Sequence, residues 1–432
     1  MVIRRSGGSV PRLPWMAGLV VALLGAGCAT TTPRFAAHRG PAVGPEEMAA
    51  GGHLIRVAVL SGVNDLAVTS NVSFDLIVGK RGTTDRPGSI WRLRLVGGEP
   101  ALESRRGHRV KDVAFPIRLV PKGRGGLVIV NGNRYRGSLQ IRRRRDGSYL
   151  AINVVGLEDY LRGVVPKEIG AVGEEQIEAA KAQAVAARSY AVSHIGRYAQ
   201  EGYDLQADER DQVYGGVMAE WPVTDRAVSA TRGMVLVNEG SVIEAVYHST
   251  CGGRTADARE LWGRKNVPYL RGTYDTEDHR RGGRAFCRDS PRFEWECQWP
   301  QGAFHSHVAS NLGEVLCTSQ YAIGQVRAVR IKHRTSSGRV RTLEVITSHG
   351  RYELDAAQAR QVLTDERSGR TVYSPCFGLT RRGSHVIIRG KGWGHGAGMC
   401  QWGAKGMAQA GYSFEKILEH YYRGTALARL PD

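Results

Sequence analysis

One carboxylic acid stands where its surroundings could change its chemistry. Glu168 follows the run Val164-Val165-Pro166-Lys167 and precedes a long Ala-rich stretch. The run reads as strand-like, so Glu168 is expected at a strand-to-helix junction, where a carboxyl loses hydration and its pKa rises. An acid that keeps its proton near neutral pH can act as a general acid. The plain alternative is a surface Glu beside Lys167. Three further clusters mix Gly with polar and aromatic residues. They are Gln212-Val213-Tyr214-Gly215-Gly216, residues 247–255 with Tyr247, His248, Ser249 and Cys251, and residues 390–404 with Trp393, His395, Cys400, Gln401 and Trp402. Flat aromatic faces and amide donors suit sugar rings; turn punctuation is the simpler account of the Gly residues. No P-loop, dinucleotide fingerprint, GxSxG elbow or HExxH occurs. His248 and Ser249 are adjacent and would point apart on a strand, so they make no triad.

These residues need a scaffold. Short runs rich in Val, Ile and Leu at 54–60, 71–78, 90–96, 126–130 and 149–155 read as strands. Residues 174–199 form the clearest helix, with Glu174 and Glu175 at its start, Arg197 near its end and Gly202 beyond it. Its many Ala residues allow close packing, so it is expected to be central. Lys181 and Arg188 lie seven apart on one of its faces and need partners or a polar groove if that face is buried. Strand signals return at 234–238, 242–247, 325–332, 339–347 and 385–389, and residues 413–422 close the chain as a helix. Grouped rather than alternating elements predict an α+β fold, mostly antiparallel, with one central Ala-rich helix lining a groove.

The chain has 432 residues, 42% apolar and 23% charged, which excludes a largely disordered chain and a multi-span membrane protein. Basic residues near the start, then the short apolar run 15–27 ending Leu24-Gly25-Ala26-Gly27-Cys28, resemble a secretory signal with a lipobox-like end. Cys28 is thus the expected lipidation site, although Gly25 holds the position where Leu is usual. Residues 29–52, rich in Thr, Pro, Ala and Gly, read as a flexible linker. An exported, membrane-anchored lipoprotein facing the periplasm or cell envelope is expected. Loss of Arg4, Arg5 and Arg12 would lower the net charge from +19 to +16. That surplus suits an anionic or polar polymer. The run Arg142–Arg145 reads as a solvated hairpin face or a docking patch. Six Cys remain besides Cys28, an even number that points to disulfides in an exported chain. Cys287 with Cys297 is the favoured local pair. Zinc held by His279, Cys287 and Cys297, or by His248 and Cys251, is the rival, without a CxxC to support it.

Taken together the motifs resemble the SpoIID/LytB family. Residues 158–161 and 165–168, then 178–191, 212–216, 247–253 and 390–404 with Gly406-Met407-Ala408, follow the family's order between residues 126 and 425. Residues 53–125 are expected to form an N-terminal β-rich segment and 126–425 the SpoIID-like catalytic domain. The resemblance implies a lytic transglycosylase of peptidoglycan, acting between N-acetylmuramic acid and N-acetylglucosamine. Its substrate would be glycan already stripped of peptide stems, its product a 1,6-anhydro end, and it would need no cofactor. It implies Glu168 as the catalytic acid, with one carboxyl serving as acid and then base, unlike paired glycosidase carboxylates. Lys181, Gln183 and Arg188 are expected around Glu168, where the bases could hold the lactyl carboxylate of stripped muramic acid. A cation there would lower the Glu168 pKa, so burial has to win. Gln212, Tyr214, Tyr247, His248, Ser249, His395 and Gln401 are expected groove or scaffold residues, and Tyr269, Arg271 and Asp275 a further groove segment. Some family members carry a His-and-Cys zinc cluster between the long helix and the Gln-Val-Tyr motif. Residues 194–214 here hold His194 but no Cys, so no metal is carried over. Expected partners are glycan strands, a cell-wall amidase and the membrane; nucleic acid is not expected. The alternative is a non-catalytic glycan binder that enhances an amidase.

Overall fold

Leu54–Val63 opens a seven-stranded sheet and pairs antiparallel with Tyr149–Gly156, with Leu54 opposite Gly156. Ser138–Arg143, Ile117–Pro121, Phe74–Val78 and Arg81–Asp85 extend that sheet on one side, and Leu205–Gln206 adds a short parallel edge. A six-stranded antiparallel sheet is built on Asp65–Ser70, Trp91–Val96 and Glu99–Ser104. Alternation drives both sheets: in Trp91–Val96, Trp91 and Leu93 are buried while Arg92 and Arg94 face solvent. The computed structural model describes residues 53–263 and 267–431. The expected signal segment 1–28 with Cys28 and the linker 29–52 lie outside the described residues. Among those described, no helix is long and apolar enough to cross a membrane.

The fold is α+β and mostly antiparallel. The expected boundary between residues 125 and 126 falls inside the first sheet, because strands from both sides of it pair there. The four-arginine run lies at the tight hairpin turn between Ser138–Arg143 and Tyr149–Gly156. Arg143 reaches Gly98 O and Arg144 reaches Ser61 Oγ.

Two helices then pack on the sheets. The first, Leu157–Ile169, takes in the Val-Val-Pro run that had read as strand. Leu157, Tyr160, Leu161, Val164, Val165 and Ile169 are buried at helical spacing. That gain outweighs the weak helix propensity of two β-branched residues, and Pro166 sits in the last turn, just before the Gly170 cap. Glu158 and Asp159 in the first turn and Lys167 in the last complement the helix dipole. The second, Ile177–Ser193, is the Ala-rich helix, with twelve of its seventeen residues buried. It stops at His194, earlier than expected. His194 Nδ1 bonds Tyr190 O at 2.7 Å, and Gly196 turns the chain with φ +81°.

A single core runs through these elements to the closing helix Phe414–Tyr421. Residues 294–391 build a second apolar core of their own around Trp299, Phe304, Leu312, Val345, Leu363 and Ile388. Two three-stranded sheets and the helices Gln301–Val315 and Ala356–Leu363 enclose it. Directly after it, Met399–Cys400 pairs in parallel with Tyr247–His248, Tyr247 opposite Met399 and His248 opposite Cys400. Two Gly-rich clusters about 150 residues apart thereby become neighbours.

Candidate active site

Glu168 is four residues past Val164 and seven past Leu161, so it occupies the buried face of the first helix. Its Oε1 accepts a hydrogen bond from Val213 N–H at 2.7 Å. Burial pushes the carboxyl up to about 7; the Val213 N–H opposes the rise, nearby Glu209 adds to it, and the Gln401 amide opposes it. Among the described residues no Lys or Arg pairs with Glu168.

The surroundings of Glu168 come from all four clusters. Tyr160 from the first helix donates to Gln212 Oε1 at 3.1 Å, and Gln212 Nε2 donates to Tyr247 Oη at 2.8 Å. Tyr160 is buried and Tyr247 half-buried; desolvation together with the Glu168 charge raises both phenols far above their usual range, so they stay neutral. Gln401 Nε2 donates to Gln183 Oε1 at 3.3 Å, tying the last cluster to the Ala-rich helix. Tyr214 is a packing residue: its hydroxyl donates to Asn153 Oδ1 and its ring lies where a side chain on Gly163 would be.

The histidines are oriented by backbone. His395 Nε2 donates to Tyr247 O at 3.0 Å, and its Nδ1 accepts from Ala397 N–H at 3.1 Å. His248 Nδ1 donates to Ala397 O at 3.0 Å, while its Nε2 is buried with no hydrogen-bond partner among the described residues. Burial holds His248 well below the usual histidine range, so it is neutral. The Trp262 ring lies tilted against His395, centroids 5.2 Å apart, and is 41% exposed; Trp393 is 47% exposed. Both present aromatic surface near these histidines.

Other expected site residues stand elsewhere. Arg188 is fully buried, but its guanidinium grips Glu158 by two bonds of 2.8 and 2.7 Å and donates to Met234 O at 3.0 Å. It points to the start of the first helix, not to Glu168 at its end. Lys181 bonds Glu178 at 2.6 Å, and Glu178 also accepts from Phe414 N–H, so this pair anchors the closing helix. Ser249 is half-buried, and its carbonyl accepts from Trp402 N–H at 3.0 Å. Tyr269 is half-buried and Arg271 exposed beside a short turn, Pro268–Leu270. Asp275 is not in a groove: it is fully buried, accepting from Tyr421 Oη at 2.5 Å and from Cys287 N–H at 3.1 Å.

The cysteines also depart from expectation. Cys251, Cys287, Cys297, Cys376 and Cys400 are free thiols. Cys297 turns into the second core, whereas Cys287 faces the first and lies 3.5 Å from Cys251, sulfur to sulfur. His279 stacks on His420 and bonds Thr273 and Arg423. Sequence reasoning missed Glu158 as the partner of Arg188 and Val213 N–H as the donor to Glu168. The 161-165-168 spacing was the available signal that Glu168 faces inward.

Comparison with known proteins bears on all of this. The sequence model of the stage II sporulation protein family SpoIID matches residues 145–238, which hold Glu168, Arg188 and Gln212. A domain of unknown function, DUF8618, matches residues 256–398, which include the second core. An uncharacterized protein of Brachyspira hyodysenteriae is 32% identical over 75% of this chain and 80% of its own length. The amidase enhancer of Bacillus subtilis is 30% identical over 79% of this chain, which spans half of that protein. Stage II sporulation protein D of the same organism is 26% identical over 64% of this chain and 76% of its own length. On these matches, and on the motifs that the fold gathers around Glu168, the chain belongs to the SpoIID/LytB family.

Proposed function

We propose that this protein works on the cell wall as a lytic transglycosylase, cleaving the bond between N-acetylmuramic acid and N-acetylglucosamine in peptide-stripped glycan. One observation carries the reading: a carboxyl held at about 7 by burial, with no basic side chain paired to it. Protonated Glu168 donates to the glycosidic oxygen as the bond to the muramic C1 breaks. The resulting carboxylate takes the proton of the muramic C6 hydroxyl, whose oxygen closes onto C1 as the 1,6-anhydro ring. An internal hydroxyl replaces water, so one carboxyl suffices, and positive charge on the sugar is left to the substrate acetamido group and the groove dipoles. Arg188 serves this chemistry by its absence: bound to Glu158, it does not hold Glu168 ionised. The Gln183–Gln401 pair and Tyr247 orient the acid, and the Trp262, His395 and Trp393 surface offers a wall for sugar rings. Export as a lipoprotein anchored at Cys28 belongs to the same proposal.

A second reading draws on the name of the Bacillus subtilis amidase enhancer. In it the groove binds glycan and stimulates a partner amidase without cleavage. Purified protein and its Glu168→Gln variant, incubated with peptide-free glycan strands, separate the two when chain ends are read by mass spectrometry. Anhydro ends from the wild type alone are the expected result. Equal release by both proteins removes Glu168 from the mechanism, and binding without cleavage leaves the enhancer.

A further inference from the structure

Behind the paired Gly-rich clusters, Cys251, Asp275, Cys287 and Cys400 converge. Each is at most 1% exposed, and one ligand atom from each lies within 4.8 Å of the others. They arrive from four separate segments: the loop after Tyr247–His248, the stretch after Pro268–Leu270, the short turn Phe286–Asp289, and the start of the helix Gln401–Gln409. We propose that these four residues hold a zinc ion in a closed, tetrahedral structural site of three thiolates and one carboxylate.

The donor set fits that ion. Soft thiolates with one oxygen donor favour zinc over magnesium or calcium, and four protein ligands leave no open position. Two thiolates on one tetrahedral zinc, with Zn–S bonds of about 2.3 Å, stand ~3.8 Å apart. Cys251 and Cys287 stand 3.5 Å apart, close to that spacing. The surrounding groups are those a metal site needs. Cys400 Sγ accepts backbone N–H from Cys251 at 3.2 Å and from Gly403 at 3.3 Å, donors that steady a thiolate. Asp275 is aimed by Tyr421 Oη on one oxygen and Cys287 N–H on the other. Gly403 keeps the helix close, because a side chain there would overlap the Tyr421 hydroxyl and the Asp275 carboxylate.

The rival for an exported chain is a disulfide between Cys251 and Cys287. It would use two of the three sulfurs and leave Cys400 and Asp275 sealed in apolar surroundings. Among the described residues no basic side chain pairs with Asp275, and a divalent cation would offset half of the negative charge of the four deprotonated ligands. On binding, each S–H bond and the O–H bond of protonated Asp275 break, their protons pass to solvent, and three Zn–S bonds and one Zn–O bond form. The ion would fasten Tyr247–His248 to Met399–Cys400 and so fix Gln401, the residue after a ligand, against Glu168.

The test counts metal and does not depend on glycan cleavage. Full-length protein, purified anaerobically, is assayed by inductively coupled plasma mass spectrometry; about one zinc per chain is expected. Cys287→Ser and Cys400→Ser should lose it, and Cys297→Ser and Cys376→Ser should keep it. Cobalt(II) exchanged into the wild type should give the intense visible bands of a tetrahedral ion and sulfur-to-cobalt charge transfer in the near ultraviolet. That spectrum decides the matter even if the two site variants fail to fold. Wild-type protein with neither zinc nor the cobalt spectrum, zinc kept equally by the site variants, or a Cys251–Cys287 disulfide mapped in the exported protein would each overturn the proposal.

Discussion

Two buried carboxyls lie on either side of the peptide joining Cys400 to Gln401. The Gln401 amide reaches Glu168, and the Cys400 sulfur sits within 4.8 Å of an Asp275 oxygen. Burial raises the pKa of both acids. Their surroundings separate them. Glu168 retains some solvent exposure and has one backbone donor beside neutral phenols and amides. Asp275 is sealed, aimed by two donors and ringed by sulfur. A shifted acid is thus a candidate for turnover only where the fold leaves it a way out; enclosed among thiols, the same shift marks a joint in the scaffold.

That contrast can be broken most directly at Glu168. Glu168→Gln should lower glycan cleavage roughly 10²–10⁴-fold, measured as anhydro ends released over time. Undiminished cleavage would place Glu168 with Asp275 as scaffold. Next in size is Arg188→Ala, which strips the bidentate partner from Glu158 on the far end of the same helix. A loss of about 3–5 kcal/mol in urea unfolding is expected. A loss near zero would show that Arg188 is not the clamp described.

The pH dependence sharpens the comparison further. The folded pKa of Glu168 is about 7 against an ordinary 4.5, so the folded state holds a proton that the unfolded state releases. Stability is therefore full below the unfolded value, falls as pH rises toward 7, and levels off above it. Glu168→Gln should match the wild type near pH 4 and exceed it at pH 8 by at most about 3 kcal/mol. Wild-type cleavage should decline on the same limb, because the ionised carboxyl has no proton to give. Stability curves that coincide at every pH would mean the acid is not desolvated. The smallest expected effect belongs to the other carboxyl. Gly403→Ala pushes a methyl against Asp275 and Tyr421 and should cost about 1–3 kcal/mol of stability. An unchanged melting temperature would show that the joint around Asp275 is loose.

Much of the scaffold was readable. Alternating Trp91-Arg92-Leu93-Arg94 and the Ala-rich helix carry their own periodicity; the strand formed where expected, while the helix is shorter, Ile177–Ser193, with Glu174 and Glu175 in a separate turn before it. The Val-Val-Pro run was misread because β-branched residues favour strands locally, while burial along one helical face decided the outcome. Arg188 was placed at the wrong end of its neighbour helix for a related reason. Periodicity assigns a face, but the partner that neutralises a buried charge comes from another element, 30 residues away in this case.

By itself the sequence determined which residue types were available for chemistry, their order, and the period of each element, because these are local properties of a chain. It named Glu168 and the Gly-rich clusters. Only the tertiary structure decided that residues 247–248 and 399–400 pair in parallel, that Arg188 is spent on Glu158, and that Asp275 is sealed beside three cysteines. Those outcomes depend on contacts between residues far apart in the chain, where desolvation and charge balance are settled by whatever the fold brings within a few ångströms.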